Sequence, residues 1–177
     1  MLEGEHVVLA PLRTEDAPAL FAWINDRDLA VLNARYRPVH EPDHVAWFED
    51  VRSRGDVVIF GIRRHADDRL IGSCQLLAID PVHRTAELQI RIADVGDRGQ
   101  GHGTEAVRLL LRHAFADLDL RRVQLSVFAD NAPAIRCYEK AGFLREGLLR
   151  QAVHVDGSAR DVVVMGVLNG EETRAAP

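Results

Sequence analysis

The chain has 177 residues, a length typical of one domain with a sizeable core. Its hydrophobic fraction of 47% and its charged fraction of 28% are ordinary for a soluble globular protein. The net charge of −5 disfavours non-specific binding to nucleic acid, which requires a basic surface. No apolar run approaches transmembrane length and the first residues lack a signal-peptide pattern, so we expect a cytoplasmic protein that contacts neither nucleic acid nor a membrane.

The first half of the chain is predicted to contain strands and helices in mixed order. These are a strand over 6–12, helices over 14–24 and 41–55, and a hairpin with strands over 56–64 and 69–79. Thr14 or Asp16 is expected to cap the first helix, which places Pro18 in the first turn, where proline is tolerated. Residues 25–40, between the two helices, show no regular pattern.

In the second half, strands and helices alternate around a glycine-rich loop. The elements are a strand over 84–94, a helix after the loop that runs to Leu118, a strand over 121–130, a short helix over 131–143 that Asn131 caps, and a hairpin around Asp156-Gly157. In the strand over 84–94, Leu88 and Ile90 lie on one face. Glu87, Gln89 and Arg91 lie on the other face.

This order of elements predicts an α+β fold with a mixed sheet and helices on both faces. Hairpins surround a single strand–loop–helix–strand unit, so a doubly wound parallel sheet is not expected. The sequence shows no internal repeat or linker. We therefore expect one domain over 1–169, followed by a flexible C-terminal tail over 170–177.

The stretch DRGQGHGTEAV, residues 97–107, has three glycines at alternate positions directly before a helix. Glycines at a helix start leave backbone N–H groups accessible to an anion, and Arg98 could add a charged contact to phosphate. A Walker loop is not indicated, because no lysine precedes Thr104. The dinucleotide fingerprint needs a glycine at the position of Thr104. Taken alone, the loop does not distinguish an anion site from a simple connection.

A second motif, NAPAIRCYEKAGF, follows over 131–143. Arg98, Gly101 and Gly103 match the pattern Arg/Gln-x-x-Gly-x-Gly/Ala, and Asn131, Ala134 and Tyr138 match Asn-x-x-Ala-x-x-x-Tyr. In this order the two motifs resemble the GNAT superfamily of acetyl-coenzyme A-dependent N-acetyltransferases. The likeness extends through WINDRD, AELQI, GFLREG and the last hairpin, and it is greatest to the branch that acetylates ribosomal-protein N-termini, spermidine and amino sugars.

The resemblance implies a mostly antiparallel sheet with a V-shaped splay between two parallel strands, one ending near Ile92 and one starting near Val123. The pantetheine arm of acetyl-CoA would lie in this splay, where free strand N–H groups can polarise the thioester carbonyl. Backbone amides over 99–104 would bind the pyrophosphate, with the His102 side chain expected to point to solvent. The full set of expected cosubstrate-binding residues is Ile90, Ile92, Arg98, Gly99, Gln100, Gly101, His102, Gly103, Thr104, Asn131, Ala134 and Tyr138.

The resemblance also implies direct transfer of the acetyl group to a primary amine in a ternary complex, without a metal. Tyr138 would protonate the departing thiolate, the alternative being a tyrosine that only packs in the core. Glu87 would orient the amine or a water molecule that serves as base. It could instead form an ion pair with Arg91 on its own strand.

Trp23, Trp47, Glu87 and His154 are the candidate acceptor-binding residues, because in relatives the corresponding segments border the acceptor site. The two tryptophans could equally pack in the core. The acceptor would be a small-molecule amine or a peptide N-terminus. An excess of acidic residues over 25–50 would suit a cationic amine, although an ordinary solvated helix surface explains it as well.

The segment HEPDH, residues 40–44, formally matches a zinc-protease motif. Pro42 cannot lie inside a continuous helix, so the two histidines are not expected to share a helix face or to bind a metal.

Two other functions remain open at this point. One is a non-catalytic coenzyme A-binding regulatory module on the same fold. The other is a nucleotide-dependent oxidoreductase, for which Asp119 would be the downstream acidic residue. A homodimer is a further expectation.

Overall fold

The computed structural model describes residues 1–32 and 37–171. The chain forms an eight-stranded sheet in which neighbouring strands follow the order β1-β2-β3-β4-β5-β6-β8-β7. The strands are β1 (Leu2–Glu3), β2 (Val7–Ala10), β3 (Val58–Arg64), β4 (Leu70–Asp80), β5 (Thr85–Ile92), β6 (Arg122–Phe128), β7 (Leu144–Val155) and β8 (Ser158–Leu168). Every pair of neighbours is antiparallel except β5 and β6, which are parallel. The predicted mixed, mostly antiparallel sheet is confirmed.

Five α-helices accompany the sheet in the described part of the chain. They are α1 (Ala17–Asn25), α2 (Arg27–Ala30), α3 (Glu41–Val51), α4 (His102–Arg112) and α5 (Ala132–Lys140). The short α2 lies in a segment for which no element was predicted. Part of that segment, residues 33–36, and the tail residues 172–177 lie outside the described residues.

Two helix ends differ from their predictions. Asp16 occupies the N-cap position of α1, but its side chain makes no capping hydrogen bond there: a 3₁₀ turn over Thr14–Asp16 precedes the helix, and the Asp16 carboxylate accepts the Arg13 N–H at 2.7 Å. The helix after the glycine loop is regular only to Arg112 and continues as a π-helical turn over His113–Asp117. The spacing of apolar residues does not predict this π-helical turn, because Ala114 and Phe115 remain buried within it.

One face of the sheet carries the main core. Leu88 of β5 and Leu125 of β6 are buried there against Val107, Leu110 and Leu111 of α4. On α5, the buried residues belong to the same cluster. The period-2 pattern of the strands and the 3.6-residue pattern of α4 thus bury the same layer, as the sequence predicts.

The opposite face of the sheet is more polar. Gln75 of β4 and Gln89 of β5 are cross-strand partners, and their side chains form a hydrogen bond of 3.0 Å. Arg91 and Ser73 are cross-strand partners two residues further along the same face. On this face Arg63 of β3 forms an ion pair with Asp16, which places the start of α1 over it. Helices therefore lie on both faces.

The parallel pair β5–β6 diverges along its length. Its backbone pairing runs from Thr85/Arg122 to Glu87/Gln124, whereas β5 continues to Ile92 and β6 continues to Phe128. The two strands therefore open into the V-shaped splay that the sequence resemblance implies. In the open part, backbone groups on the facing edges of β5 and β6 can hydrogen-bond to a ligand, because the two strands no longer pair with each other there.

The ion pair between Asp16 and Arg63 is a stability determinant that can be tested. The Asp16 carboxylate and the Arg63 guanidinium approach to 2.6 Å, and both side chains are about 5% exposed. Asp16→Ala would leave the buried guanidinium with only the more distant carboxylate of Asp68, 3.9 Å from its Nε, so we expect a loss of about 3 kcal/mol in the free energy of unfolding. Urea denaturation measures the loss.

The matched control is Glu139→Ala, which removes the partner of Arg145 from an exposed ion pair. It should leave the urea midpoint almost unchanged. Equal effects of the two substitutions would contradict a special role for the buried pair.

Candidate active site

A cleft of about 530 Å³ passes through the splay between β5 and β6. Ile90, Arg91 and Ile92 line it from β5, and Ser126 and Val127 line it from β6. On one side it is bounded by the start of α4 and by α5, and on the other by residues of α2 and the turn after it. The cleft is therefore lined from both faces of the sheet, so two ligands that approach from opposite faces could meet at the splay.

The glycine loop forms one wall of the cleft. Gly99 and Gly101 adopt left-handed conformations, with φ of 75° and 89°. A side chain at either position would meet no heavy atom within 4 Å, so the space beside both glycines is open. The first intrahelical bond runs from Glu105 N–H to the Gly101 carbonyl, which leaves the earlier N–H groups of α4 directed to the cleft. This geometry suits an anion.

Gly103 has a different role from the two glycines before it. A Cβ at Gly103 would lie 3.6 Å from the Cys137 sulfur and 3.7 Å from Ile92. The glycine thus lets the first turn of α4 approach β5 and α5 closely. Thr104, also on the wall of the cleft, donates a hydrogen bond to Cys137 Sγ at 3.4 Å.

Three further residues of the predicted loop are placed as follows. Arg98 borders the cleft and donates hydrogen bonds to the carbonyls of Ile92 at 3.0 Å and Ala93 at 2.9 Å. Gln100 donates to the Gly96 carbonyl and lies outside the lining of the cleft. The prediction for the His102 side chain is wrong, because it is buried, 6% exposed, with Nδ1 3.2 Å from the Asp97 carbonyl.

Asp97 anchors the loop, a role that sequence reasoning missed. Its carboxylate is 2% exposed and contacts the guanidinium groups of Arg64 and Arg69 on the β3–β4 hairpin. The loop is thereby attached to a second part of the sheet. The signal in the sequence is weak, because an aspartate before a glycine loop is as readily a turn residue.

Helix α5 brings the second motif to the cleft. Asn131 accepts the Ala134 N–H at 3.2 Å and caps the helix, and both residues line the cleft. Tyr138 lines the cleft although it is only 7% exposed, and its ring packs edge-on against Phe143 with centroids 5.8 Å apart. Burial, and to a lesser extent the neighbouring Cys137, raises the pKa of the Tyr138 phenol above its ordinary value.

Two basic residues of α5 were also missed by the sequence analysis. Arg136 and Lys140 are four residues apart and both line the cleft. With Arg98 they surround its α4–α5 side with positive charge. Their spacing on one helix face was the available signal.

None of the acceptor candidates lines the cleft. Glu87 is half-buried on the face that carries Arg91, but the structure shows no ion pair between these two described residues. Trp47 is 37% exposed and packs beside His44, so a core position for it is wrong, and Trp23 is half-buried. His154 is exposed on β7. The cavities found in the described residues include none of Trp23, Trp47, Glu87 or His154 in their linings.

A smaller cavity of about 290 Å³ adjoins the cleft. It shares Leu32, Ser126 and Val127 with the cleft and is otherwise lined by apolar residues of β6, β7 and β8. These further residues are Phe128, Leu149, Ala152, Val153 and Val162. The splay therefore continues into an apolar recess.

The segment HEPDH does not form a continuous helical pair of histidines. His40 precedes α3, whose second residue is Pro42, and His44 is buried within the helix. In the described part of the chain no helix is long and apolar enough to cross a membrane.

A splayed, mostly antiparallel sheet with a glycine loop at the start of a helix, as formed here by β5, β6 and α4, is typical of an acetyltransferase fold. Residues 6–144 match the sequence model of the acetyltransferase (GNAT) domain, and the chain belongs to this family. It is 30% identical to the probable N-acetyltransferase YjcK of Bacillus subtilis over 97% of this chain and 99% of that protein. It is 35% identical to the putative ribosomal N-acetyltransferase YdaF of the same organism, over 92% of this chain and 85% of that protein.

The solved structures show the same fold. The spermidine N-acetyltransferase of Vibrio cholerae in complex with CoA and spermine superposes with a TM-score of 0.84, covering 95% of this chain and 98% of that one, at 24% identity. The α+β fold with a splayed sheet, predicted from the sequence, is confirmed.

Proposed function

We propose that the protein transfers the acetyl group of acetyl-CoA to a primary amine by direct attack in a ternary complex. The observation that supports this most directly is the cleft itself, which is lined by residues on both sides of the splayed sheet. One side carries the glycine loop and the basic residues of α5, and the other adjoins the apolar recess. Two ligands that bind from opposite sides would meet at the splay.

The residues on the α4–α5 side fit a coenzyme A. Open space beside Gly99 and Gly101 and the N-terminal amides of α4 would bind the pyrophosphate. Arg98, Arg136 and Lys140 would contact the phosphates. When bound, the cosubstrate supplies an activated acetyl thioester. Its pantetheine arm would be bordered by Ile90, Ile92, Asn131 and Ala134. His102 and Gln100 would act indirectly, because their side chains contact backbone carbonyls of the loop that binds the cosubstrate.

The open segment of β5 would stabilise charge on the acetyl oxygen. Beyond Glu87 the strand no longer pairs with β6, so its N–H groups on that edge have no strand partner and can donate to a ligand carbonyl. Such donors are fixed before the reaction, and a fixed donor loses no reorganisation energy when the charge develops.

The acceptor must lose a proton before it can attack. An alkyl ammonium with a pKa near 10.4 is about a thousandth deprotonated at pH 7. Glu87 lies on the face from which the acceptor would arrive, at the point where the strands diverge. We propose that its carboxylate takes the amine proton through water, since Glu87 does not line the cleft itself.

Tyr138 is the proposed acid for the departing thiolate. Its raised pKa keeps the phenol protonated at neutral and mildly alkaline pH, so the donor is present in the reacting form. The same shift makes it a weaker acid than a thiol of pKa near 8.5, so the phenolate must regain a proton promptly. After the neutral amine has attacked, its nitrogen is positively charged, and the second proton that it then releases would restore the phenol.

The role of Glu87 is tested by Glu87→Gln. If the carboxylate assists deprotonation, the variant should lose turnover most at neutral pH and recover part of it at alkaline pH, where the free amine forms unaided. The measurement is the pH–rate profile. Glu15→Gln removes an exposed carboxylate outside the cleft lining and should keep the wild-type profile. A profile unchanged in Glu87→Gln would assign Glu87 a structural role.

The whole proposal is tested with acetyl-CoA and panels of peptides, polyamines and amino sugars, following thiol release. Acetylation of at least one amine supports transfer. Thermal stabilisation by acetyl-CoA without transfer to any amine would favour a non-catalytic binding module, and stabilisation by NAD instead would favour an oxidoreductase. The single domain, the cytoplasmic location and the homodimer stay predictions.

A further inference from the structure

Arg91 is a half-buried cation in the cleft, and the described residues give it no ion-pair partner. It lies on β5, and partial burial lowers the pKa of its guanidinium. Its Nε is fully buried and makes no hydrogen bond within the described residues. No carboxylate of the described chain lies within ion-pair distance of it, although the more distant Asp26 partly offsets its charge. Such a group is costly unless a ligand supplies the missing partner.

Arg91 lies on the acceptor side of the splay. It shares the polar sheet face with Gln89 and its cross-strand partner Ser73, opposite the face that packs on α4. The cleft beside it is closed by Leu29 and Leu32 of the α2 region. A guanidinium in this position meets the second ligand rather than the phosphates of the first.

The other charged residues of the cleft have different explanations. Within the described chain they are Asp97, Arg98, Arg136 and Lys140. Asp97 is neutralised by Arg64 and Arg69, and the three basic residues lie on the α4–α5 side. The acidic residues over 25–50, which suggested a cationic acceptor, do not line the cleft, although Asp26 is near enough to Arg91 to attract its guanidinium. The acceptor side thus has a positive charge and no carboxylate in its lining.

We infer that the acceptor is an amine that carries a carboxylate, bound by Arg91, and an apolar group that enters the recess lined by β6, β7 and β8. The inference rests on the proposed function and names its substrate class. A guanidinium binds a carboxylate with two parallel hydrogen bonds, which a second ammonium cannot do. The recess receives no charged or hydrogen-bonding side-chain group from Leu149, Val153 or Phe128, so it favours an apolar side chain over a polyamine.

The test uses amines that differ only in the carboxylate. L-phenylalanine is compared with 2-phenylethylamine, L-leucine with 3-methylbutylamine, L-lysine with cadaverine, and spermidine is added. Binding to the protein in the presence of CoA is measured by calorimetry, and acetyl transfer is measured separately. We expect the carboxylated member of a pair to bind at least about thirtyfold more tightly. This ratio corresponds to about 2 kcal/mol of binding free energy, as expected when a charged group has lost its partner.

Arg91→Gln should abolish this preference, whereas Arg91→Lys should keep part of it. The melting temperature of Arg91→Gln should not fall, because the substitution removes a half-buried charge that has no ion-pair partner among the described residues. A merely structural arginine would give the opposite result, a lower melting temperature with an unchanged preference. Arg54→Gln removes an equal charge from an exposed ion pair with Asp56 and should behave as wild type.

The outcomes separate the two proposals. Carboxylate-dependent binding through Arg91 without acetyl transfer would leave the inference standing and overturn the proposed activity. Equal binding and equal transfer for both members of every pair, or a preference for spermidine, would overturn the inference and leave the activity standing. Failure of all carboxylated probes to bind at millimolar concentration would also overturn it.

Discussion

Tyr138→Phe is expected to reduce single-turnover acetyl transfer by roughly 10²–10⁴-fold, or about 3–5 kcal/mol of barrier. Phenylalanine keeps the ring that packs against Phe143 and removes only the hydroxyl. If that hydroxyl protonates the leaving thiolate, the loss falls on the chemical step. Product release can mask a chemical defect in steady state, so single-turnover measurement is required.

Two controls distinguish an acid from a core residue. The affinity for acetyl-CoA and the melting temperature of Tyr138→Phe should stay close to wild type, because its packing partners are retained. Phe143→Leu should lower stability through the same ring pair while leaving the hydroxyl in place. Near-wild-type transfer by Tyr138→Phe would assign the tyrosine to the core alone.

The sequence predicted most of the fold because its periodic signals agree with each other. Alternation along β5 and the apolar spacing of α4 each indicate one buried face, and the structure packs those faces together. Asp156-Gly157 gives a hairpin turn with both φ positive, at 50° and 75°, as its dipeptide predicts. The short α2 was missed, because a four-residue helix has no room for a periodic pattern.

The cosubstrate side of the site was more readable than the acceptor side. The glycines at 99 and 101 have local conformational reasons to be glycine, and local reasons are visible in sequence. The significance of Arg91 depends on what lies around it after folding. The alternating pattern of β5 predicts only the face of the sheet on which Arg91 lies. Its lack of an ion-pair partner among the described residues follows from the tertiary arrangement of α2 and the splay.

Binding of acetyl-CoA should be lost in Gly101→Val. In the wild type, a hundredfold excess of acetyl-CoA over its dissociation constant should add about 2.7 kcal/mol of stability. A valine at φ 89° forces the loop out of its left-handed conformation and fills the open space beside the α4 amides. The stabilisation by acetyl-CoA, read as a thermal shift, should therefore fall to nearly zero.

Gly157→Val is the matched control for this loss. Gly157 also has a positive φ, 75°, and open space around it, but it lies in the β7–β8 turn and does not line the cleft. Both variants should therefore lose some stability without ligand, because valine is strained at either position. Only Gly101→Val should also lose the shift with acetyl-CoA, because only that glycine borders the helix N-terminus. A full thermal shift with acetyl-CoA in folded Gly101→Val would mean that the pyrophosphate does not bind at the glycine loop.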